Sequence, residues 1–269
     1  MRYADAGVTR VSIGAQSFDP DELRELGRRH DPADVARLAG AARAAGIRSI
    51  AIDVIFGAPG ASDDRFARSL AAALAVRPDH VSTYGLTVEP GTPYAARRPA
   101  DFPDDDAQAR LYEHAIATLE GAGYEHYEIS NFARSGHRCR HNENYWRNGS
   151  YLGLGVGAAS YLGGRRFVKT RDLERYIASA SRAEVEIAES ENLLGAARAG
   201  EAAMLALRTA EGVDLRTFKE RYGLDFLEQY APVLRDLRGA GLLAMDDRCV
   251  RLTRRGRFVA NDVCAAFIA

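Results

Sequence analysis

The chain has 269 residues, 46% hydrophobic and 27% charged, with a formal net charge of -1. That length supports one large α/β domain or a domain with an appendage, and the near-zero charge gives no global attraction to nucleic acid or an anionic membrane. Cys139, Cys249 and Cys264 lack close pairing, no apolar run approaches the ~20 residues of a membrane span, and MRYADAGVTR has no apolar leader core, which together argue against a disulfide framework and for a reducing, cytoplasmic setting.

Val8–Gln16 (VTRVSIGAQ) reads as a strand, with Val11, Ile13 and Ala15 on one face and Ser12, Gly14 and Gln16 on the other. A helix follows, with Asp31 as N-cap, Pro32 at its first position and Gly46 as its stop. Arg48–Gly57 (RSIAIDVIFG) is a second strand, too apolar to be exposed on either face. Ser62 caps a helix reaching Val76, and His80–Leu86 is a third strand. A Pro/Gly-punctuated loop over Glu89–Pro99 leads to a long helix from Asp104 to Ala122. This alternation implies parallel strands joined by crossover helices, an α/β class. Ligands of such sheets sit at the C-terminal strand ends, where Gln16, Asp53 and Tyr84 fall.

From Tyr124 to Ser160 the chain concentrates His126, His137, Cys139 and His141 with Tyr127, Tyr145, Trp146 and Tyr151, then closes on Gly153, Gly155 and Gly157. Phe167–Thr170 reads as a short strand and Asp172–Ser181 as a helix. From about Gly200 the pattern changes to three helices (EAAMLALRT, DLRTFKERYG and DFLEQYAPVLRDLRGAG), short strands at Leu242–Met245 and Cys249–Thr253, and a final helix. Three helices and a two-stranded wing describe a winged-helix-like unit. Its third helix mixes Asp225, Glu228 and Asp236 with Arg235 and Arg238, a poor surface for phosphate, so no nucleic-acid partner is expected.

Several residues admit two readings. Asp53, flanked by branched apolar residues, is costly unless bonded; it either holds ligand hydroxyls or a cationic ligand, or pairs internally with an arginine. Gln16, after Ser12 and Gly14, is a polar contact on a pocket wall or a buried amide satisfied by backbone. Arg28 binds a carboxylate bidentately or belongs to a solvated basic turn. GLGVGAAS lacks the dinucleotide fingerprint, so its glycines serve close approach to a ligand or to a strand. Cys139 and His141 form a C-x-H pair, too few ligands for structural zinc. Axial ligation of haem iron needs only one residue, with Tyr145 and Trp146 as faces for a porphyrin; the alternative is a capped loop with His141 bonded to backbone.

Taken together, VSIGAQSFDPDELRELGRRH, IAIDVIFGAPG, YEISNFARSGHRCRHNENYW and YLGLGVGAASY resemble HemW, a radical SAM family of haem chaperones related to anaerobic coproporphyrinogen dehydrogenase. The resemblance runs over essentially the whole chain, including LRTFKERYG and LTRRGRFVANDV. It implies the C-terminal part of a partial (β/α) radical SAM barrel followed by a small winged-helix-like α+β domain. The expected division is 1–122 for the β/α units, 123–190 for the HNxxYW and glycine-rich segment completing the barrel edge, and 191–269 for the C-terminal domain. The implied cofactors are S-adenosylmethionine (SAM) and a [4Fe-4S] cluster, with haem as the bound group. Gln16, Arg28 and Asp53 match SAM contacts, with Gly85 and Ala159 placed by context. His141 of HNxxYW is the implied haem ligand, with Cys139 as the alternative.

The family's CxxxCxxC and glycine-rich SAM segment lie upstream of the matched region. Met1 is therefore read as an internal start, from a truncated gene or a misplaced start codon, and catalysis by this chain alone is not expected. The expected function is binding haem and passing it to recipient haem proteins such as respiratory enzymes, and a homodimer is compatible with it. The competing readings are an oxygen-independent coproporphyrinogen III oxidase and a non-catalytic partner-binding module.

Overall fold

A computed structural model describes residues 3–96, 99–182 and 186–268. Met1, and residues 97 and 98 of the expected Glu89–Pro99 loop, lie outside the described residues. The chain divides into two compact units, Met1–Arg138 and Cys139–Ala269. The division falls inside the histidine-rich segment, so His126 and His137 belong to the first unit and His141 to the second.

The first unit contains β1 (Arg10–Gln16), α1 (Pro20–Glu25), α2 (Pro32–Ala44), β2 (Ser49–Phe56), α3 (Asp63–Ala75), β3 (His80–Gly85), α4 (Pro93–Ala96), α5 (Asp105–Gly121), β4 (Glu125–His126) and β5 (Asn131–Ala133). The sheet order is β1-β2-β3-β5-β4. β1, β2 and β3 pair in parallel, as the strand–helix repeat implies, while β5 and β4 turn back antiparallel.

The helix signals are realised at the residues that carry them. Asp31 caps α2 through a capping box with Asp34, Ser62 caps α3, and Asp104 caps α5. Each satisfies backbone N–H groups that the first turn leaves open. The alternation of β1 places Ile13 and Ala15 under helices, while Ser12 and Gly14 stay exposed. Ile50, Ile52 and Val54 of β2 and Val81 of β3 are fully buried in the core that Phe66, Leu70, Ile116 and Leu119 share. Each such side chain removes apolar area worth about 1.5–3 kcal/mol from water. The other sheet face carries Gly14, Asp53 and Ser82 in one register row, with Ser12 two residues before Gly14 on the same face.

The second unit contains α6 (Arg140–Trp146), β6 (Ala159–Leu162), β7 (Arg165–Lys169), α7 (Leu173–Ala180), β8 (Ile187–Asn192), α8 (Gly195–Leu207), β9 (Val213–Asp214), α9 (Leu215–Tyr222), α10 (Phe226–Gln229), α11 (Ala231–Gly239), β10 (Leu243–Met245), β11 (Cys249–Leu252), α12 (Arg254–Phe258) and α13 (Ala260–Ala265). β6, β7 and β8 make an antiparallel sheet. β10, β11 and β9 make another, interleaved with α8, α9 and α11 in the winged-helix order.

Three expectations are corrected. The wing has three strands, because the two-residue β9 is too short to leave a periodic signal. The helix expected over DFLEQYAPVLRDLRGAG breaks at Tyr230, two residues ahead of Pro232, whose missing N–H suits a helix start and not an interior. The final helix divides at Val259 into α12 and α13.

Candidate functional site

On β2, Asp53 is half-buried, and Ser12 Oγ donates to its two carboxylate oxygens at 3.0 and 3.1 Å. Burial pushes the Asp53 carboxyl above the ordinary aspartate range, and hydrogen bonds from Ser82 and Ser12 pull it part of the way back. The register makes this arrangement, since Gly14 lies opposite Asp53 on one side and Ser82 on the other. Among the described residues no arginine pairs with Asp53, so the internal ion-pair alternative is not realised. Asp53 is a carboxylate stabilised by hydroxyls, with its charge offset by no cation among the described residues.

Gln16 ends β1 in the left-handed region, at φ 63, where the register with β2 shifts. This strained bulge redirects its side chain. A Cβ on Gly14 would meet Gln16 Nε2 at 2.8 Å, so the amide folds back over Gly14, the residue opposite Asp53. Glycine at 14 is what lets Gln16 and Asp53 share this part of the face. Arg28 is exposed, with no side-chain bond among the described residues. Its loop is tied to the end of β1 by a 3.1 Å contact between His30 Nε2 and the Ala15 carbonyl. Gly85 closes β3, where a Cβ would meet Gln108 Oε1 at 3.1 Å and Phe56 at 3.2 Å; the absence of a side chain there serves close packing. Ala159 belongs to the second unit, where it opens β6 opposite Val168.

Ser82 and His80 share the polar face of β3 and escape notice in sequence, because serine and histidine in an apolar strand carry no spacing signal. His80 is 2% exposed, with Nε2 2.8 Å from Tyr127 Oη. Burial, reinforced by the positive fields of Arg10 and His137, lowers its pKa to about 3, so it is neutral.

The structure sorts the histidines of the central segment. His126 stacks on Phe132 at 4.1 Å and its Nε2 lies 3.1 Å from the Ile129 carbonyl. His137 meets Ser49 Oγ at 3.2 Å through Nδ1. Both are structural in place. His141, on α6, is exposed, and its ring makes no hydrogen bond among the described residues. The capped-loop alternative, with His141 bonded to backbone, is therefore not realised. Its ring meets Tyr145 edge-on at 4.8 Å, and Tyr145 meets Tyr151 edge-on at 4.6 Å. Positions 141 and 145 share a helix face by i,i+4 spacing.

Trp146 is half-buried, with the Arg208 guanidinium 5.1 Å from its ring centroid and its indole N–H buried without a partner. Cys139 precedes α6 as an N-cap that makes no side-chain cap bond, and it forms no disulfide. The glycine-rich loop folds on its own chain: a Cβ on Gly153 would meet the Ala159 carbonyl at 2.1 Å, and Lys169 Nζ donates to the Gly153 carbonyl at 2.8 Å. That realises close approach to a strand.

The donor sets can be tested against the implied groups. An uncompensated carboxylate, a free amide and a free guanidinium at one end of a parallel sheet fit the hydroxyls, ammonium and carboxylate of SAM. An exposed imidazole beside tyrosine faces fits haem. A cluster does not fit: among the described residues no group of three His, Cys, Asp or Glu side chains could hold a metal ion. Of the three thiols, Cys264 is buried and pushed up to about 11 by that burial. Among the described residues no helix is long and apolar enough to cross a membrane.

Residues 1–73 match the Radical SAM superfamily, and residues 195–259 match the HemN C-terminal domain. The chain is 34% identical over 267 residues to a Bacillus subtilis protein named heme chaperone HemW, covering 98% of this chain and 70% of that one. It is 40% identical over 261 residues to the heme chaperone HemW of Mycobacterium tuberculosis, covering 96% of this chain and 65% of that one. With the Escherichia coli heme chaperone HemW, identity is 42% over 174 residues, covering 63% of this chain and 46% of that protein. Among solved structures, coproporphyrinogen III oxidase (HemN) of Escherichia coli, a radical SAM enzyme, matches with a TM-score of 0.83 at 23% identity, over 99% of this chain and 65% of that one. At that identity the likeness shows the α/β fold alone.

Proposed function

The chain belongs to the HemW family of radical SAM haem chaperones, and on that premise we propose that it binds haem through α6, with His141 as the axial ligand of the iron, for transfer to recipient haem proteins. The observation that carries this reading is the state of His141: an exposed imidazole, without a protein hydrogen bond among the described residues, edge-on to Tyr145. An exposed imidazole whose ring nitrogens make no hydrogen bond among the described residues is open to ligate iron directly. Tyr145 and Tyr151 offer flat apolar faces beside it, and Trp146 contributes to the wall behind them. Cys139, two residues earlier at the helix start, is the alternative ligand.

SAM is the second ligand of this reading. Asp53 accepts hydrogen bonds from ribose hydroxyls or offsets the cationic end of the molecule. Gln16 orients it through the amide folded over Gly14, and Arg28 takes its carboxylate bidentately. Gly85, at the end of β3, gives close backbone approach within the first unit. Bound there, SAM supplies a sulfonium cation and an adenosyl group. The chain spans 65–70% of the first HemW relatives it matches, and no chemistry is assigned to a cluster that its residues do not fit.

Haemin titration tests the haem reading. The expected result is a saturable Soret shift with the full chain, weakened in His141→Ala and retained in Cys139→Ser. Absence of any shift with the unsubstituted chain would overturn it.

A further inference from the structure

α6 is a seven-residue helix with no side-chain N-cap bond, too short to persist by its own backbone hydrogen bonds. Its C-terminal end is built with more care. Arg147 is the C-cap, Asn148 is left-handed at φ 49, Asn148 N–H donates to the Tyr145 carbonyl at 2.9 Å, and Gly149 N–H donates to the Asn144 carbonyl at 2.8 Å. This is a Schellman turn. A Cβ on Gly149 would meet the Asn144 carbonyl at 2.9 Å and its Oδ1 at 2.2 Å, so the turn requires glycine there.

The turn leaves the carbonyls of Arg147 and Asn148 without helical partners. Arg221, from α9, donates to both: Nη1 to Arg147 at 2.6 Å and Nη2 to Asn148 at 2.5 Å. A guanidinium fork is the one cationic group that spans two neighbouring acceptors, and its charge opposes the negative end of the helix dipole. Arg208, at the end of α8, lies over Trp146, with the guanidinium carbon 5.1 Å from the ring centroid. It is itself held by Asn261 Oδ1, 3.3 Å from Nη1.

We infer that Arg221 and Arg208 are positioning residues for haem, through which the winged-helix region holds α6 so that His141 and Tyr145 present one face to the ligand. This rests on the haem reading above. It gives the region matching the HemN C-terminal domain a role in ligand binding without any contact to haem. Arg221 acts through the last turn of α6 and Arg208 through Trp146, the terminal residue of the helix. Arg221 bonds the carbonyls that end the helix and Arg208 lies over Trp146, so their loss is expected to change the placement of the imidazole and to leave His141 itself in place.

The experiment is haemin titration and ferric-haem spectroscopy on the full chain carrying Arg221→Ala, Arg221→Lys and Arg208→Met, with circular dichroism confirming that each is folded. Loss of a group that orients a metal ligand weakens binding about 10-fold or more. That loss is expected in Arg221→Ala with an altered Soret position, with little recovery in Arg221→Lys because an ammonium is a point charge. Millimolar guanidinium, far below denaturing levels, restores affinity to Arg221→Ala and not to His141→Ala. Arg208→Met keeps the side-chain length and is the second variant read should Arg221→Ala fail to fold; it is expected to show the same direction of change. Unchanged affinity and spectrum in folded Arg221 and Arg208 variants would overturn the inference. Failure of the unsubstituted chain to bind haemin would instead remove the haem reading on which it rests.

Discussion

Asp53 is a half-buried carboxylate held by serine hydroxyls and opposed by no protein cation among the described residues. Its raised pKa means that the folded chain holds the proton more tightly than the unfolded chain, so ionising Asp53 weakens folding as pH rises above the ordinary aspartate range. Asp53→Asn is therefore expected to hold or raise the melting temperature at neutral pH. The same change removes charge-assisted hydrogen bonds worth about 1.5–3 kcal/mol of SAM affinity, measured by equilibrium dialysis. A stable variant with full SAM affinity would count against the role given to this carboxylate. His80 has the opposite sign. It is neutral when folded down to about pH 3 and takes up a proton when unfolded below its ordinary 6.5. Stability contributed by this group is present at neutral pH and falls by about 1.4 kcal/mol per pH unit through that window. Urea denaturation at neutral and mildly acidic pH should show a shallower acid loss in His80→Gln than in the unsubstituted protein. The sequence marks Asp53, since a charge among branched apolar residues must be answered by something. It does not mark Ser12 and Ser82 as the answer, because their pairing with Asp53 exists only once three strands are in register.

At the scale of elements, capped helices and apolar strands are legible and short pieces are not. Asp31, Ser62 and Asp104 announce α2, α3 and α5 because each cap satisfies backbone locally. α6 and β9 depend on distant partners: Arg221 completes the end of α6, and Val213 and Asp214 become a strand only by pairing with Val250 and Cys249. The asparagine and glycine after Trp146 are a stop signal of the αL kind, and the helix before them is too short for periodicity to reveal. Gly149→Ala forces a Cβ against Asn144 and is expected to destabilise the protein by about 1–3 kcal/mol, with haem affinity falling in parallel. Gly121→Ala, at the end of α5 with open space around it, is the control and is expected to be neutral or slightly stabilising. Thermal denaturation compares the two. Equal melting temperatures would show that the tight turn after α6 is not needed.

For the whole molecule, the parallel β/α order and the winged-helix end follow from hydrophobic periodicity, while family membership follows from motifs whose chemistry the structure distributes over two units. The SAM-type residues Gln16, Arg28, Asp53 and Gly85 fall in the first unit, and His141, Tyr145 and Trp146 in the second. The crowded histidine segment, read as one ligand-bearing stretch, separates into two structural histidines and one free imidazole because Phe132, Ile129 and Ser49 occupy His126 and His137. The central claim is that this free imidazole binds haem iron. Low-temperature electron paramagnetic resonance of ferric haem bound to the full chain, beside Cys139→Ser and His141→Ala, tests it most directly. The account predicts a nitrogen-ligated ferric spectrum in the unsubstituted chain and in Cys139→Ser, lost in His141→Ala. A thiolate-ligated spectrum, or one that His141→Ala leaves unchanged, would contradict it.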